Sequence, residues 1–546
     1  MVDLIFTGGP VVTVDPRRPR AEALAVADGR IRAIGATEEV LRHRRPDTYV
    51  VDLAGRALLP GFVEAHGHPT LAAMALAPPA VDVRPFTVPT GADVLETIRT
   101  TAADAEPGTP LLFYGADVLL QPGLTPPSRA DLDKLAPHNP VVVVADSGHA
   151  AYANTALLEA AQITKDTPDP PRGVFVRDTH GDPTGEGRQP AAVAVLMAPA
   201  SRAAGTRFPV NMRQVYAELA AAGITTVTDM AYGAHLRDRL ALLAGDPDIR
   251  VRLRAYEVGT AALAADADHR MGEWPGAGTL FARAGVKLWV DGSPWQGDAA
   301  TSFPYLDTEA TRRMGLGDDH RGGLDIPPVR LAELATAFAE QGFQLACHAE
   351  GDAAIDAVLD AYEQAQGATG FDDLRPRLEH CGAMTAAQYR RAADLGATVS
   401  LFPEQLYYWG DALVDDLFGE EHGAGWAAAK SAFDAGLRVS FHNDGTVTPP
   451  SPLGNVAAAV TRTTRGSGRV LAPDERVTVD QALRAQTIDP AWQLHLDNEI
   501  GSLEVGKQAD LTVLTADPHD TDLGGLRGLG VVATYLGGRQ THGAPL

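Results

Sequence analysis

Two histidines two positions apart close a short apolar segment, and this feature constrains the fold more than any other. Residues 59–69 read LPGFVEAHGHP, a strand-like run that ends at His66 and His68. In an extended backbone, side chains at positions i and i+2 lie on one face. The two imidazoles can therefore converge on one metal ion, such as zinc, iron, nickel or manganese. The alternative is a pair of ordinary loop histidines. Further ligand candidates elsewhere in the chain decide between these two interpretations.

The composition indicates an ordinary globular protein and excludes several partners. A chain of 546 residues exceeds the size at which one core stops growing, so we expect two or more domains. The formal net charge of −24 argues against nucleic acid and anionic membranes. Only two cysteines are present, Cys347 and Cys381, which we interpret as core residues. No signal peptide or membrane span is visible, so we expect a cytoplasmic protein.

From residue 221 onward, short apolar runs alternate with amphipathic stretches. This alternation indicates a parallel sheet, and eight units indicate an α/β protein with a closed (β/α)8 barrel of the TIM type. One predicted helix covers 331–341, where apolar residues recur at helical spacing. After the strand that ends at His66, the predicted strands are 224–229, 251–257, 286–291, 344–348, 377–380, 397–402 and 438–442.

The two ends of the chain and the first connection differ from the barrel. Short β runs with turns at both ends predict a composite β-sandwich from residues 1–58 and 486–546, although two separate sheets remain the alternative. The metal-dependent barrel would occupy 59–485. The long gap between its first two strands predicts an insertion after strand 1, an extra subdomain at roughly 80–205.

Six side chains that can bind a metal lie on five predicted barrel strands, five of them at or just after a carboxyl end and Lys287 within the fourth strand. Reactive groups in such barrels come from the carboxyl ends of strands. A single strand-end histidine is more often a packed or hydrogen-bonded residue, but the joint pattern indicates a metal site. The six residues are His66, His68, Lys287, His348, His380 and Asp444.

Lys287 requires its own explanation. An ammonium group among Leu, Val and Trp neighbours is costly, and burial lowers its pKa. A neutral lysine amine can add carbon dioxide to give a carbamate, which is a carboxylate able to bridge two metal ions. We therefore predict that Lys287 is N6-carboxylated. A lysine paired with Asp291 or Asp444 is the alternative.

Several segments, in the same order along the chain, resemble the amidohydrolase superfamily. Within it they are similar to amidohydrolase family 3, the branch of the N-substituted formamide deformylases. The resemblance covers nearly the whole chain. The segments are 58–68 with the two histidines, 286–293 (VKLWVDGS), 348–352 (HAEGD), 377–381 (RLEHC), 406–411 (LYYWGD), 442–444 (HND) and 501–510 (GSLEVGKQAD).

The resemblance implies a centre of one or two divalent ions, with zinc expected. His66 and His68 would bind a more buried α metal, and His348 and His380 a β metal. Lys287, as a carbamate, would bridge the two ions.

The resemblance assigns the proton transfers to Asp444. Asp444 would contact the α metal, orient the bound hydroxide, accept its proton and return that proton to the leaving nitrogen. The chain departs from the family pattern at Asn443, where related sequences often have Ser, but no predicted ligand changes.

Aromatic residues suggest where a substrate binds, because loops at this face of a barrel line the cavity. The expected partners are a small molecule with an apolar or aromatic portion and a second copy of the chain in a homodimer. Hydrophobic loop packing is an equal alternative for the aromatic residues, and a structural hydrogen bond is the alternative for His149. The candidate pocket residues are His149, Trp289, Trp295, Tyr407, Tyr408 and Trp409.

The function implied by the resemblance is metal-dependent hydrolysis of a carbon–nitrogen bond other than a peptide bond. An N-substituted formamide or a similar amide is the leading substrate class. The same site acting on a lactone, ester, carbamate or cyclic amide is a second hypothesis. A third, of another class, is a non-catalytic metal-binding or regulatory protein on the same scaffold.

Overall fold

The centre of the protein is an eight-stranded parallel sheet. The structure is a computed structural model that describes residues 2–233, 236–246, 248–264, 272–273, 280–370 and 373–546. Each strand pairs in parallel with the next, which confirms the predicted (β/α)8 barrel. The strands are β1 Phe62–Glu64, β2 Ile224–Tyr232, β3 Arg252–Val258, β4 Phe281–Trp289, β5 Gln344–Ala349, β6 Arg377–His380, β7 Thr398–Leu401 and β8 Val439–Phe441.

The barrel has a seam between its first and last strands. Among the described strands, no hydrogen-bonded ladder joins β1 to β8. Just beyond their carboxyl ends, Gly67 and Gly445 form an isolated parallel bridge. The buried carboxylate of Glu64 accepts a hydrogen bond from the backbone N–H of Asn443 at 2.8 Å. A side chain therefore substitutes for the missing strand contact beside the predicted metal ligands.

Helices cover the outside of the barrel because one face of each is apolar. The predicted helix over 331–341 is found at Pro328–Glu340, with a proline in its first turn. Leu331 and Phe338 are fully buried in the core that the helices share with the outer faces of the strands. Further barrel helices are Arg237–Ala244, Asp352–Thr369, Ala386–Asp394, Ala429–Asp434, Pro452–Thr461, Val479–Ala485 and Ile488–Gln493. Within the described residues, no helix has both the length and the apolar character needed to cross a membrane.

Two sheets beside the barrel form the predicted sandwich, and both ends of the chain contribute to it. Their facing side chains share one core, in which Phe6 meets Tyr535 edge to face at 5.2 Å. The strand Leu511–Leu514 directly follows the segment 501–510 that resembles the family. The first sheet has the strand order Arg30–Gly35, Ala23–Ala27, Leu4–Thr7, Tyr49–Asp52. The second has the order Arg539–His542, Val531–Leu536, Leu511–Leu514, Ala57–Pro60, Val11–Val12, Arg20–Ala21.

The connection from β1 to β2 contains a separate six-stranded sheet with its own apolar clusters. The helix Gln189–Ala221 leads from this sheet back to β2. Three shorter helices pack with the sheet: Gly91–Asp104, Arg129–Leu135 and Thr155–Ala160. The strands are Val81–Asp82, Leu111–Ala116, Val141–Ala145, Ala150–Ala153, Val174–Arg177 and Pro183–Arg188.

A histidine joins the C-terminal segment to a barrel helix, and it makes stability depend on pH. His519 lies between Asp517, at 3.0 Å, and Asp480 of the helix Val479–Ala485, at 2.7 Å. The hydrogen bond to Asp517, followed by that to Asp480, raises the pKa of His519 above 6.5. A raised pKa means that the folded state favours the imidazolium. The contribution to stability is therefore complete below about pH 6.5 and is lost as pH rises through the folded-state pKa.

We expect His519→Gln to lower the thermal midpoint at about pH 5.5 and to change it little at about pH 9. Thermal unfolding of the wild type and the variant at both pH values measures this. His43→Gln, at an exposed histidine, is the matched control. An equal loss at both pH values would show that the His519 contact does not depend on the charge of the imidazole.

Candidate metal centre

The carboxyl ends of the barrel strands bring four of the six predicted ligands into direct contact. His68 Nε2 lies 3.1 Å from Asp444 Oδ1, and His66 Nε2 lies 3.6 Å from the same oxygen. Lys287 Nζ lies 3.1 Å from His66 Nε2. His66 and Lys287 are almost fully buried, whereas the side chains of His68 and Asp444 are 14% and 15% exposed toward the cavity above them.

The other two predicted residues extend the cluster toward β5. The rings of His348 and His380 lie 4.4 Å apart, and His380 Nδ1 is 4.0 Å from Asp444 Oδ2. Within the described part of the chain, the buried Nε2 atom of His348 has no hydrogen-bond partner. A buried nitrogen without a partner is costly, and a metal ion would satisfy it.

Left-handed backbone at two of these residues turns their side chains toward the centre. His380 has φ 72° and Asp444 has φ 51°, a region that costs non-glycine residues about 1–3 kcal/mol each. The turn at His380 breaks the strand alternation, so the side chains of Glu379 and His380 both contact the cluster. Strain of this kind concentrates at functional sites.

Burial and neighbouring charges set the protonation of the cluster. Burial lowers the pKa of Lys287 to about 8, and burial together with the Lys287 charge lowers the pKa of His66 well below 6.5. Burial opposes ionisation of Asp444, but its contacts with His68, together with the nearby His442 and Lys287, outweigh that effect and lower its pKa to about 2. At neutral pH the centre therefore offers the neutral imidazole of His66 and the ionised carboxylate of Asp444, which are the forms that bind metal.

A buried pair of charged residues, Glu379 and Arg377, fixes the orientation of His66, and the sequence did not predict this role. His66 Nδ1 lies 2.6 Å from Glu379 Oε2. Arg377 donates to both oxygens of Glu379, at 2.7 and 3.0 Å, and to the carbonyl of Ala65 at 2.8 Å. Arg377 and Glu379 are fully buried. Because the Nδ1–H of His66 is held by a carboxylate, its Nε2 lone pair faces the centre.

His442, at the end of β8, is a second residue that the sequence analysis left out of the site. Its Nε2 lies 3.2 Å from His380 Nδ1. The spacing His442-x-Asp444 repeats that of His66 and His68, and this signal could have identified it. Among the described residues, two groups place their donor atoms within 4.8 Å of one another: His66, His68 and Asp444, and His66, His380 and His442.

A cavity of about 400 Å³ opens above the cluster, between the barrel and the insertion. Of the predicted pocket residues, His149, Trp289 and Trp295 line it. His149 Nδ1 also pairs with Gln189 Oε1 at 2.7 Å, so this ring has a structural contact as well. Apolar side chains of the insertion complete the wall, including Val193 and Met197.

In contrast to the expectation, Tyr407, Tyr408 and Trp409 are not among the residues that line this cavity. The segment after β7 forms a helix, Pro403–Ala412, rather than a loop. Trp409 therefore lies behind the wall, stacked on Trp295 with ring centroids 4.8 Å apart. Tyr407 packs under the guanidinium of Arg527 and Tyr408 against Phe86. From the start of this segment, Phe402 and Gln405 reach the cavity.

The donor set fits a divalent metal. Imidazole nitrogens and one carboxylate suit zinc, iron, nickel and similar ions, whereas magnesium and calcium prefer oxygen ligands throughout. The fold and the site together define a (β/α)8 barrel with a composite sandwich and a cluster of metal-binding side chains at the carboxyl ends of its strands.

Comparison with known proteins places the chain within this class. A family model described as the amidohydrolase family matches residues 49–542, and the chain belongs to that family. The chain is 32% identical to an N-substituted formamide deformylase of Arthrobacter pascens, over 98% of both chains. It is 27% identical to Protein LONG AFTER FAR-RED 3 of Arabidopsis thaliana, over 99% of this chain and 92% of that protein.

Solved structures show the same fold. An uncharacterized metal-dependent hydrolase from Pyrococcus horikoshii superposes with a TM-score of 0.71 at 22% identity, covering 95% of this chain and 99% of that one. A corresponding hydrolase from Pyrococcus furiosus gives a TM-score of 0.69 at 23% identity, covering 94% and 99%.

Proposed function

We propose that the protein is a metal-dependent hydrolase of a carbon–nitrogen bond other than a peptide bond, acting on an amide such as an N-substituted formamide. The convergence of His66, His68 and Asp444 on one point carries this proposal. The similarity to a formamide deformylase along nearly the whole chain supports the substrate class.

The strand-end residues would hold one or two divalent ions, with zinc first among the candidates. His66, His68 and Asp444 supply one group of donors, and His348 and His380 supply nitrogen donors toward β5. Lys287 would join them as a carbamate, since its lowered pKa increases the fraction of free amine that can add carbon dioxide. When bound, such an ion lowers the pKa of a coordinated water and polarises the scissile carbonyl.

Asp444 performs the proton transfers. Its carboxylate accepts the proton of the attacking water and delivers it to the leaving nitrogen, which is a poor leaving group until it is protonated. The strained backbone at Asp444 and the seam contact of Asn443 with Glu64 fix the position of the carboxylate.

The cavity wall would select the substrate. Trp289 and Trp295 from the β4 side and Met197 from the insertion surround the space above the ligands. Such a wall favours a substrate with an apolar or aromatic portion next to the scissile bond. A cavity of about 400 Å³ accommodates a small molecule.

The test combines metal analysis, native mass spectrometry and a substrate panel. For protein made without added metal, we expect one or two transition-metal equivalents, a mass excess of one carbon dioxide, and hydrolysis of N-substituted formamides. Lys287→Ala is the control and should lack the mass excess. A metal content below about one-tenth of an equivalent per chain, which added zinc, manganese or iron does not raise, would overturn the metal-dependent mechanism.

The panel also separates the alternative bonds. Amides, lactones, esters, carbamates and cyclic amides should be compared at equal concentration by kcat/KM. Preference for an oxygen leaving group would replace the amide assignment and keep the metal mechanism. Metal binding without hydrolysis of any member would favour the non-catalytic hypothesis.

A further inference from the structure

His442 belongs to a group of three buried imidazoles: His66 lies just after β1, His380 ends β6 and His442 directly follows β8. It is fully buried, and its ring stacks on His66 with centroids 4.7 Å apart and an angle of 24° between the planes. Its ring centroid is 5.0 Å from that of His380. The structure therefore groups the donor atom of His380 with those of His66 and His442, and His348 lies outside this group.

The distance between two nitrogens of this group is close to the distance expected between two ligands of one metal ion. Two nitrogens bound to one tetrahedral zinc at about 2.0–2.1 Å lie about 3.3 Å apart. His442 Nε2 and His380 Nδ1 lie 3.2 Å apart. The alternative is a direct N–H···N hydrogen bond between the two rings, which this distance also allows.

The outer nitrogens of the group have partners that suit metal ligands. His442 Nδ1 lies 2.8 Å from the hydroxyl oxygen of Ser400, and His66 Nδ1 lies 2.6 Å from Glu379. Ligating histidines commonly donate their second N–H to an oxygen in this way, so that the other nitrogen presents its lone pair. His442 and His66 thus share one arrangement, with Nδ1 held from outside and Nε2 facing the centre.

We propose that His442 is a metal ligand through Nε2 and that His66, His380 and His442 form a group of nitrogen ligands beside the carboxylate of Asp444. This inference rests on the metal-binding part of the proposed function. An additional imidazole shifts the preference of the centre toward zinc, nickel, cobalt and copper and away from magnesium and calcium.

Cobalt(II) substitution tests the assignment without any measurement of activity. The visible spectrum of bound cobalt reports the atoms that coordinate it. For His442→Asn, which retains a polar group near Ser400, we expect a shifted cobalt absorption band and a metal affinity lowered by more than about 100-fold in a chelator competition. His495→Asn, at a histidine that pairs with Asp373 away from the cavity, is the control and should keep the wild-type band.

An unchanged cobalt band in His442→Asn would overturn the assignment, whatever the affinity, because a residue that only positions a ligand leaves the coordinating atoms in place. Failure of the wild type to bind any metal would instead overturn the proposed function. If the variant does not fold, a crystal structure of the zinc-loaded wild type decides the question. A zinc–Nε2 distance of about 2.0–2.1 Å at His442 supports the proposal, and a distance beyond about 3 Å contradicts it.

Discussion

Replacing Asp444 with Asn is expected to lower kcat by about 10²–10⁴-fold, the usual range for loss of a general acid–base group. The amide oxygen of Asn can still face a metal near His68, but it cannot take up the proton of the attacking water at neutral pH. Metal content should therefore stay at the wild-type level. Measurement of kcat on the best substrate of the amide panel, together with elemental analysis of the same sample, checks both expectations.

The control for this experiment is Asp497→Asn, a carboxylate that pairs with Arg375 away from the cavity and should leave kcat unchanged. Near-wild-type kcat in Asp444→Asn would remove Asp444 from the proton transfers. A large loss of both metal and kcat would make Asp444 chiefly a ligand. The experiment thus separates the two functions that the position of Asp444 beside His66 and His68 combines.

The second large effect is expected at Glu379, which contacts both His66 and Arg377. Glu379→Leu leaves the fully buried guanidinium of Arg377 without its carboxylate, and breaking a buried pair in this way costs about 3–5 kcal/mol of unfolding free energy. The same change releases His66 Nδ1 and should weaken metal binding by about 10–100-fold. Chemical denaturation of the metal-free protein and a chelator competition measure the two effects separately.

A double variant distinguishes the two roles of Glu379. Arg377→Met with Glu379→Leu removes both charges, and the lost stability should largely return because no unpaired charge remains buried. Metal affinity should remain low because His66 still lacks its acceptor. If the double variant regains metal affinity as well, the effect on metal binding is an indirect result of poor folding.

Much of the barrel could be predicted because its strands are apolar runs with polar residues at their carboxyl ends. His66, His68, Lys287, His348 and His380 are recognisable in the sequence for this reason, and the order of the strands around the barrel brings the strand ends that carry them together. The alternation of strands and helices from residue 221 onward, together with the β runs at both ends, was sufficient for the fold class.

The parts that escaped prediction depend on local backbone geometry. Strand alternation predicts opposite directions for Glu379 and His380, but left-handed backbone at His380 brings both into the cluster. The aromatic residues after β7 were expected to line the cavity, but the segment Pro403–Ala412 is a helix that places Trp409 behind Trp295. The sequence places His442 in a strand and in a segment that resembles the family, but its spacing from Asp444 contains a signal for the site that the prediction does not use.

The pairing of Ala57–Pro60 with Leu511–Leu514 determines when this site can form during protein synthesis. The strand that precedes the two histidines has its antiparallel partner near the other end of the chain. The backbone N–H groups of Gly61 and Val63 likewise donate to the carbonyls of Asp510 and Gln486. The histidine motif therefore leaves the ribosome long before its structural support, and the site can become stable only after residues 511–514 have been synthesised.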